Sequence, residues 1–159
     1  MSLPNIDPKL DLVFERATEL SGVQMWDAWT NPLTLPKWFC PRPWWVTACR
    51  IDLRAGGEFF TVMEGPGEER MENHGCYLEV VMGRRLVWTN MMSAGFRPRV
   101  DQGMGFPFVA RITFAPEDGK TIYRAVVSHA DEAGGKQHEA MGFQEGWGLA
   151  LQQLEELVG

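Results

Sequence analysis

Residues 141–158, MGFQEGWGLALQQLEELV, close the 159-residue chain and decide the expected fold. Apolar side chains recur there at three- and four-residue steps, and glutamate and glutamine fill most positions between them. This spacing puts the apolar groups on one face of an α-helix. It predicts a long amphipathic helix that opens with Ala133-Gly134-Gly135 and runs to the C-terminus, its apolar face made of Phe143, Trp147, Ala150, Leu151, Leu154 and Val158.

Three glycines, Gly142, Gly146 and Gly148, interrupt this helical pattern. Each lowers helix propensity by roughly 0.8 to 1 kcal/mol relative to alanine. Their presence indicates that strands approach the helix closely or that space is left on one side of it. A helix that crosses a curved sheet fits this requirement.

Residues 44–130 predict that sheet, because β-branched and aromatic runs alternate there with turn residues. Asp118-Gly119 is a good hairpin signal, since both positions tolerate positive φ. The long connection 93–106 has no clear period, and loops of that length are often functional or mobile. A strand near residue 10 and two short helices are predicted before the sheet. The predicted strands of the meander are 44–53, 58–64, 69–81, 86–92, 108–115 and 121–130.

Composition and charge limit the function classes. Net charge is −6 and no basic run concentrates lysine and arginine, so nucleic acid is not an expected partner. The N-terminus has no signal-peptide pattern and no segment is long and apolar enough for membrane insertion, so we expect a cytoplasmic protein. The odd cysteine count fits reduced, buried thiols at Cys40, Cys49 and Cys76.

Four stretches carry a resemblance to a known family. They are MWDAWTNPLTLPKWFCP at 25–41, VTACRIDLRAGGEFF at 46–60, GCYLEVVMGRRLVWT at 75–89 and MGFQEGWGLALQQLEELV at 141–158. In this order the chain resembles the bacterial family related to the activator of the heat-shock-protein-90 ATPase, within the START/Bet v 1-like (SRPBCC) superfamily that also holds polyketide cyclases.

The resemblance implies an α+β helix-grip fold, with a curved antiparallel sheet of about seven strands around the C-terminal helix and two short helices after the first strand. We expect one such domain over residues 1–159. It also implies a cavity between sheet and helix, used for hydrophobic or aromatic small molecules. The family has no universal catalytic residues, and no cofactor is expected.

Cavity residues can be assigned if the resemblance holds. Trp88, Phe143 and Trp147 are predicted to face the ligand, whereas Trp26 and Trp29 are predicted to be core. The polar mid-strand groups Glu64, Arg111 and Tyr123 could orient a ligand or point outward, depending on register. The full predicted set is Met63, His74, Trp88, Met91, Phe108, Tyr123, Phe143 and Trp147.

The histidines allow several interpretations. His74 and Cys76 lie two residues apart on one predicted strand and share a face, so a zinc site with a third ligand is conceivable. Their spacing is not that of a standard zinc site, and no metal is predicted. His74 could also be an acid, a base or an ordinary strand residue. His129 and His138 flank a turn and are predicted to be capping or solvent-facing groups. No sequence context activates Cys76 as a nucleophile.

The favoured function is binding of a small hydrophobic or aromatic ligand in the cavity. A cyclase-type enzyme acting on a polyketide-like substrate is the first alternative, in which His74 or Tyr123 would move protons. A co-chaperone that activates a heat-shock chaperone ATPase is the second. It is weaker, since no room precedes the first strand for the separate N-terminal domain of the eukaryotic activators. A monomer and a homodimer both fit the sequence.

Overall fold

The computed structural model describes residues 5–100 and 105–159. Nine strands, three α-helices and a 3-10 helix at Leu35–Lys37 make up this part of the chain. The strands are β1 (Asp11–Thr18), β2 (Trp45–Ile51), β3 (Glu58–Glu64), β4 (Arg70–Val81), β5 (Arg85–Thr89), β6 (Met92–Ser93), β7 (Arg97–Pro98), β8 (Phe108–Glu117) and β9 (Lys120–His129). The α-helices are α1 (Gly22–Thr30), α2 (Glu132–Ala140) and α3 (Phe143–Val158).

Seven strands form one antiparallel sheet in the order β1-β9-β8-β5-β4-β3-β2. Tyr77, Trp88, Ala110 and Val127 lie opposite one another on successive strands, so their side chains share one face. This face is lined by large apolar groups and packs against α1 and α3. The α+β helix-grip fold is therefore confirmed.

The segment after β1 follows the predicted order of two short helices. Ser21 begins α1 with a capping box, in which its hydroxyl accepts from the Gln24 backbone N–H while the Gln24 side chain accepts from the Ser21 backbone N–H. Met25 and Trp29 are buried one turn apart. The proline of the 3-10 helix sits in its first turn, where a missing N–H costs little. These helices cover one end of the sheet, and α1 places Trp29 against the apolar face of the sheet.

The prediction of one uninterrupted C-terminal helix is wrong. The chain forms α2 and α3, with a break at Met141 and Gly142. Gly142 has a φ of +88°, a left-handed conformation that glycine adopts without strain. Asp131 starts α2 by accepting from the Gly134 N–H at 2.8 Å. The apolar periodicity belongs to α3, and α2 is a separate helix whose position is set by its own cap.

The connection 93–106 is not wholly irregular. Strands β6 and β7 form a two-stranded hairpin that includes its first residues. Residues 101–104 of the predicted loop lie outside the described residues.

The thiols of Cys40, Cys49 and Cys76 are free, and Cys40 and Cys76 are buried as predicted, whereas Cys49 is only half-buried, which corrects the prediction for that residue. Burial raises the pKa of Cys40 and of Cys49 to about 11, so neither is a thiolate near pH 7. In the described part of the chain, every helix is too short or too polar to cross a membrane.

Candidate functional site

A cavity of about 270 Å³ lies between the shared face of the sheet and the helices. Its wall contains no aspartate, glutamate, lysine or arginine among the residues that the structure describes. The volume is near the lower end of small-molecule sites, about 300 Å³, so the space suits a compact molecule of one or two rings. The aromatic wall consists of Trp29, Trp38, Phe39, Phe59, Trp88, Phe108, Tyr123, Phe143 and Trp147.

Eight of the nine rings of the aromatic wall form a connected set of ring contacts centred on Trp29, and Phe108 joins them through His138. The Trp29 ring lies 5.4 Å from Trp88, 5.9 Å from Trp147 and 5.3 Å from Trp38, measured between centroids. Phe59 meets Trp88 edge to face at 5.1 Å. Such offset and T-shaped pairs are the favourable aromatic geometries, so the rings hold one another in place around the open volume.

Two glycines leave room in the wall. Gly75 lies opposite Phe59 on β4, and a Cβ there would come within 3.4 Å of Trp88 Cδ1 and 3.0 Å of the Phe59 carbonyl oxygen. Its missing side chain lets the Trp88 ring lie against the sheet. Gly146 on α3 also lines the cavity, and a Cβ there would have Pro41 Cγ, at 3.9 Å, as its nearest neighbour. The glycine at this position keeps part of the cavity empty.

Few polar groups reach the cavity, and most are already hydrogen-bonded. The Asn73 side-chain nitrogen donates to Thr61 Oγ1 at 3.3 Å. Asn90 binds backbone instead, because its Nδ2 donates to the Phe106 carbonyl and its Oδ1 accepts from the Phe108 N–H, both at 2.9 Å. These side chains hold the wall together and offer little to a ligand.

Tyr123 is the most deeply buried polar side chain of the wall, 1% exposed. Its hydroxyl oxygen accepts from Trp29 Nε1 at 3.2 Å. Burial raises the pKa of Tyr123 far above its usual range, with the Trp29 hydrogen bond opposing. The phenol therefore keeps its proton near pH 7 and is poorly suited to act as a base.

His138 on α2 lines the cavity and pairs with His129 at the end of β9. His129 Nε2 lies 2.9 Å from His138 Nδ1, and His129 Nδ1 lies 2.9 Å from the Leu10 carbonyl oxygen. His129 is 6% exposed. Burial, and then the charge of His129, lower the pKa of His138 to about 4, so this imidazole is neutral near pH 7. The prediction that the two histidines are capping or solvent-facing groups is wrong.

The structure places seven of the eight predicted cavity residues in the wall. Met91 is the exception, and its placement corrects the prediction. Met91 lies three positions after Trp88, so strand alternation would turn it to the opposite face, and it is Asn90 that lines the cavity. Its side chain is 42% exposed. The residues in the wall are Met63, His74, Trp88, Phe108, Tyr123, Phe143 and Trp147.

His74 contributes to the wall, but its imidazole ring has other partners. The ring packs on Phe60 at 4.8 Å between centroids, and Nε2 lies 3.4 Å from a Glu72 carboxylate oxygen. Phe60 neighbours the cavity-facing Phe59 on β3, and so belongs to the opposite face of the sheet. No group of three potential ligands that could hold a metal ion occurs within residues 5–100 and 105–159.

Of the other polar candidates, Glu64 and Arg111 are not part of the wall. Arg111 follows Ala110, whose side chain faces the cavity, so the alternation of β8 turns Arg111 to the other face. The sequence interpretation also missed part of the site. Trp29 is core, as predicted, but it lines the cavity as well. Trp38, Phe39 and His138 were not assigned to the cavity because they lie on helical or irregular segments, where strand alternation gives no direction.

The curved sheet, the crossing helix α3 and the apolar cavity between them define a helix-grip protein. The chain belongs to the family described as Activator of Hsp90 ATPase homolog 1-like protein, whose model matches residues 21–159. The resemblance found in the sequence is thereby confirmed.

Solved structures show the same arrangement. A crystal structure of a protein from Nitrosomonas europaea is 42% identical, with 96% of each chain covered and a TM-score of 0.90. One from Rhodobacter sphaeroides is 21% identical, covering 97% of this chain and 95% of the other, at a TM-score of 0.80. A solution structure of an AHSA1-like protein from Aeromonas hydrophila is 20% identical, covering 94% of this chain and 92% of the other, at a TM-score of 0.69. The latter two show the fold alone. The comparison with curated proteins gives no match.

Proposed function

We propose that this protein binds a small, uncharged aromatic molecule in the cavity between the sheet and α3. The observation that carries the proposal is the wall itself, in which nine aromatic side chains surround about 270 Å³ and no charged side chain of the described residues takes part. Aromatic rings at offset and edge-on angles provide matching surfaces for a planar molecule.

The chemistry of the wall favours a neutral ligand over an anion or a cation. A carboxylate or ammonium group would lose its hydration on entering and would find no opposite charge among the described wall residues. Burying an unpaired charge costs several kcal/mol or more. An apolar ring, in contrast, gains about 25 cal/mol for each Å² that it buries.

The cyclase-type alternative needs groups that move protons within the cavity. Tyr123 keeps its proton because burial raises its pKa, and the His74 ring has Phe60 and Glu72 as partners. Both observations favour binding over that chemistry. Activation of a chaperone ATPase has the family description in its favour, but no feature of the cavity bears on it.

A matched pair of probes tests the proposal. We expect 2-naphthol to bind in isothermal titration calorimetry and to raise the melting temperature. We expect 2-naphthoate, similar in size but charged, to bind at least about tenfold more weakly, a difference of about 1.4 kcal/mol. Equal affinity for the two probes, or no binding of 2-naphthol, would contradict the proposal.

A further inference from the structure

We propose that His138 Nε2 accepts a hydrogen bond from the ligand, so the aromatic molecule that fits this cavity carries a hydroxyl or N–H group. The inference rests on the proposed function, and it assigns the ligand class more narrowly. It follows from a chain of hydrogen bonds that begins at the backbone of Leu10 and ends at the cavity.

The first link fixes the proton on His129. The Leu10 carbonyl oxygen can only accept, so the 2.9 Å contact requires a proton on His129 Nδ1. Leu10 also accepts from the backbone N–H of His129, which holds the two residues together. When His129 is in its neutral form, its single proton is the one on Nδ1, which leaves Nε2 as an acceptor.

The second link fixes the proton on His138. Because His129 Nε2 accepts, His138 Nδ1 must donate across the 2.9 Å contact. Neutral His138 then has no proton on Nε2, which is an acceptor. In the described part of the chain Nδ1 is the only ring nitrogen of His138 that has a hydrogen-bond partner.

Packing holds the His138 ring in this position. It contacts Phe106 at 4.9 Å and Phe143 at 5.2 Å between centroids, while His129 covers its Nδ1 edge. His138 belongs to the cavity wall and its ring contacts the wall residues Phe108 and Phe143, so we infer that Nε2, the ring nitrogen without a partner, is the acceptor available to a ligand there. A phenol, aryl alcohol or indole-type N–H supplies the donor that this atom lacks.

A double-mutant cycle tests the inference with two probes that differ by one donor. The ratio of the Kd of 2-methylnaphthalene to the Kd of 2-naphthol is measured for the wild type and for His138→Phe. We expect the ratio to fall about tenfold in the variant, the factor expected for losing one buried hydrogen bond. The control Gln137→Leu replaces the exposed polar residue that precedes His138 on α2 and is not part of the cavity wall, and it should leave the ratio unchanged.

The outcomes separate this inference from the proposed function. If both probes bind but the ratio is the same in wild type and His138→Phe, the cavity binds aromatics without His138 and the inference is overturned. If neither probe binds the wild type, the proposed function fails, and the inference with it.

A second measurement needs no variant. Two-bond ¹H–¹⁵N spectra of the wild type report which nitrogen of each imidazole carries the proton. We expect both His129 and His138 to be protonated at Nδ1, and the His138 Nε2 resonance to move when 2-naphthol is added. A proton on His138 Nε2 in the free protein would overturn the inference.

Discussion

Replacing Trp29 with alanine is expected to lower the free energy of unfolding by about 3–5 kcal/mol. Trp29 is 1% exposed and contacts the rings of Trp38, Trp88 and Trp147. The substitution removes these contacts and enlarges the cavity. It also removes the indole N–H that donates a hydrogen bond to the Tyr123 hydroxyl. A loss of this size is a large part of the 5–15 kcal/mol that stabilises a typical domain. Urea denaturation followed by circular dichroism measures it.

Trp45→Ala is the matched control for this substitution. Trp45 lies on β2, at the edge of the sheet, and is 49% exposed. Its removal creates no internal space, so we expect a loss under about 1 kcal/mol. If the two variants lose equal stability, Trp29 is not the centre of the aromatic wall and the packing described here is wrong.

Filling the cavity from α3 with Gly146→Leu is expected to weaken 2-naphthol binding by about 5- to 150-fold. The leucine side chain would occupy the space that Gly146 leaves, and the ligand would have to share the volume with it. Overpacking of this kind costs about 1–3 kcal/mol, which corresponds to that range of affinities. The free protein should keep or gain stability, because leucine has a higher helix propensity than glycine by roughly 1 kcal/mol. Calorimetry and thermal unfolding measure the two effects.

Gly148→Leu is a control that separates blocking of the cavity from any general effect of leucine on the helix. Gly148 lies two residues further along α3 and is not part of the cavity wall. The nearest neighbour of a Cβ at this position would be Phe14 Cε1, at an ordinary 4.0 Å. The substitution brings the same gain in helix propensity, so we expect binding to be retained. A Gly146→Leu variant that binds 2-naphthol as tightly as Gly148→Leu would show that the ligand lies elsewhere.

The sheet could be predicted closely because its signals are local. The predicted strand 58–64 coincides with β3, since a run of β-branched and aromatic residues there is flanked by Gly56-Gly57 and Gly65. The break between α2 and α3 could not be predicted in the same way. Gly142 was interpreted as a helix position with low propensity, whereas its left-handed φ ends one helix and begins the next. Propensity does not distinguish these two uses of glycine.

The cavity was only partly predictable, because some of its residues are set by contacts distant in sequence. The placement of Trp88 and Tyr123 in the cavity wall follows from strand alternation once it is known which face of the sheet contacts the helices. Met91 was placed wrongly because an odd number of positions separates it from Trp88, whereas Asn90 shares the face of Trp88 and binds the backbone of Phe106 and Phe108. The direction in which the His138 side chain points depends on the break between α2 and α3 and on the pairing with His129. No sequence pattern predicts either of them.

The most direct test of the cavity as the binding site uses the indole N–H resonances of the seven tryptophans. Trp29, Trp38, Trp88 and Trp147 line the cavity, whereas Trp26, Trp44 and Trp45 do not. In ¹H–¹⁵N spectra of the wild-type protein titrated with 2-naphthol, we predict that the first four resonances shift together in a saturable manner and that the other three stay in place. Shifts confined to Trp26, Trp44 or Trp45, or no shift at all, would contradict the account.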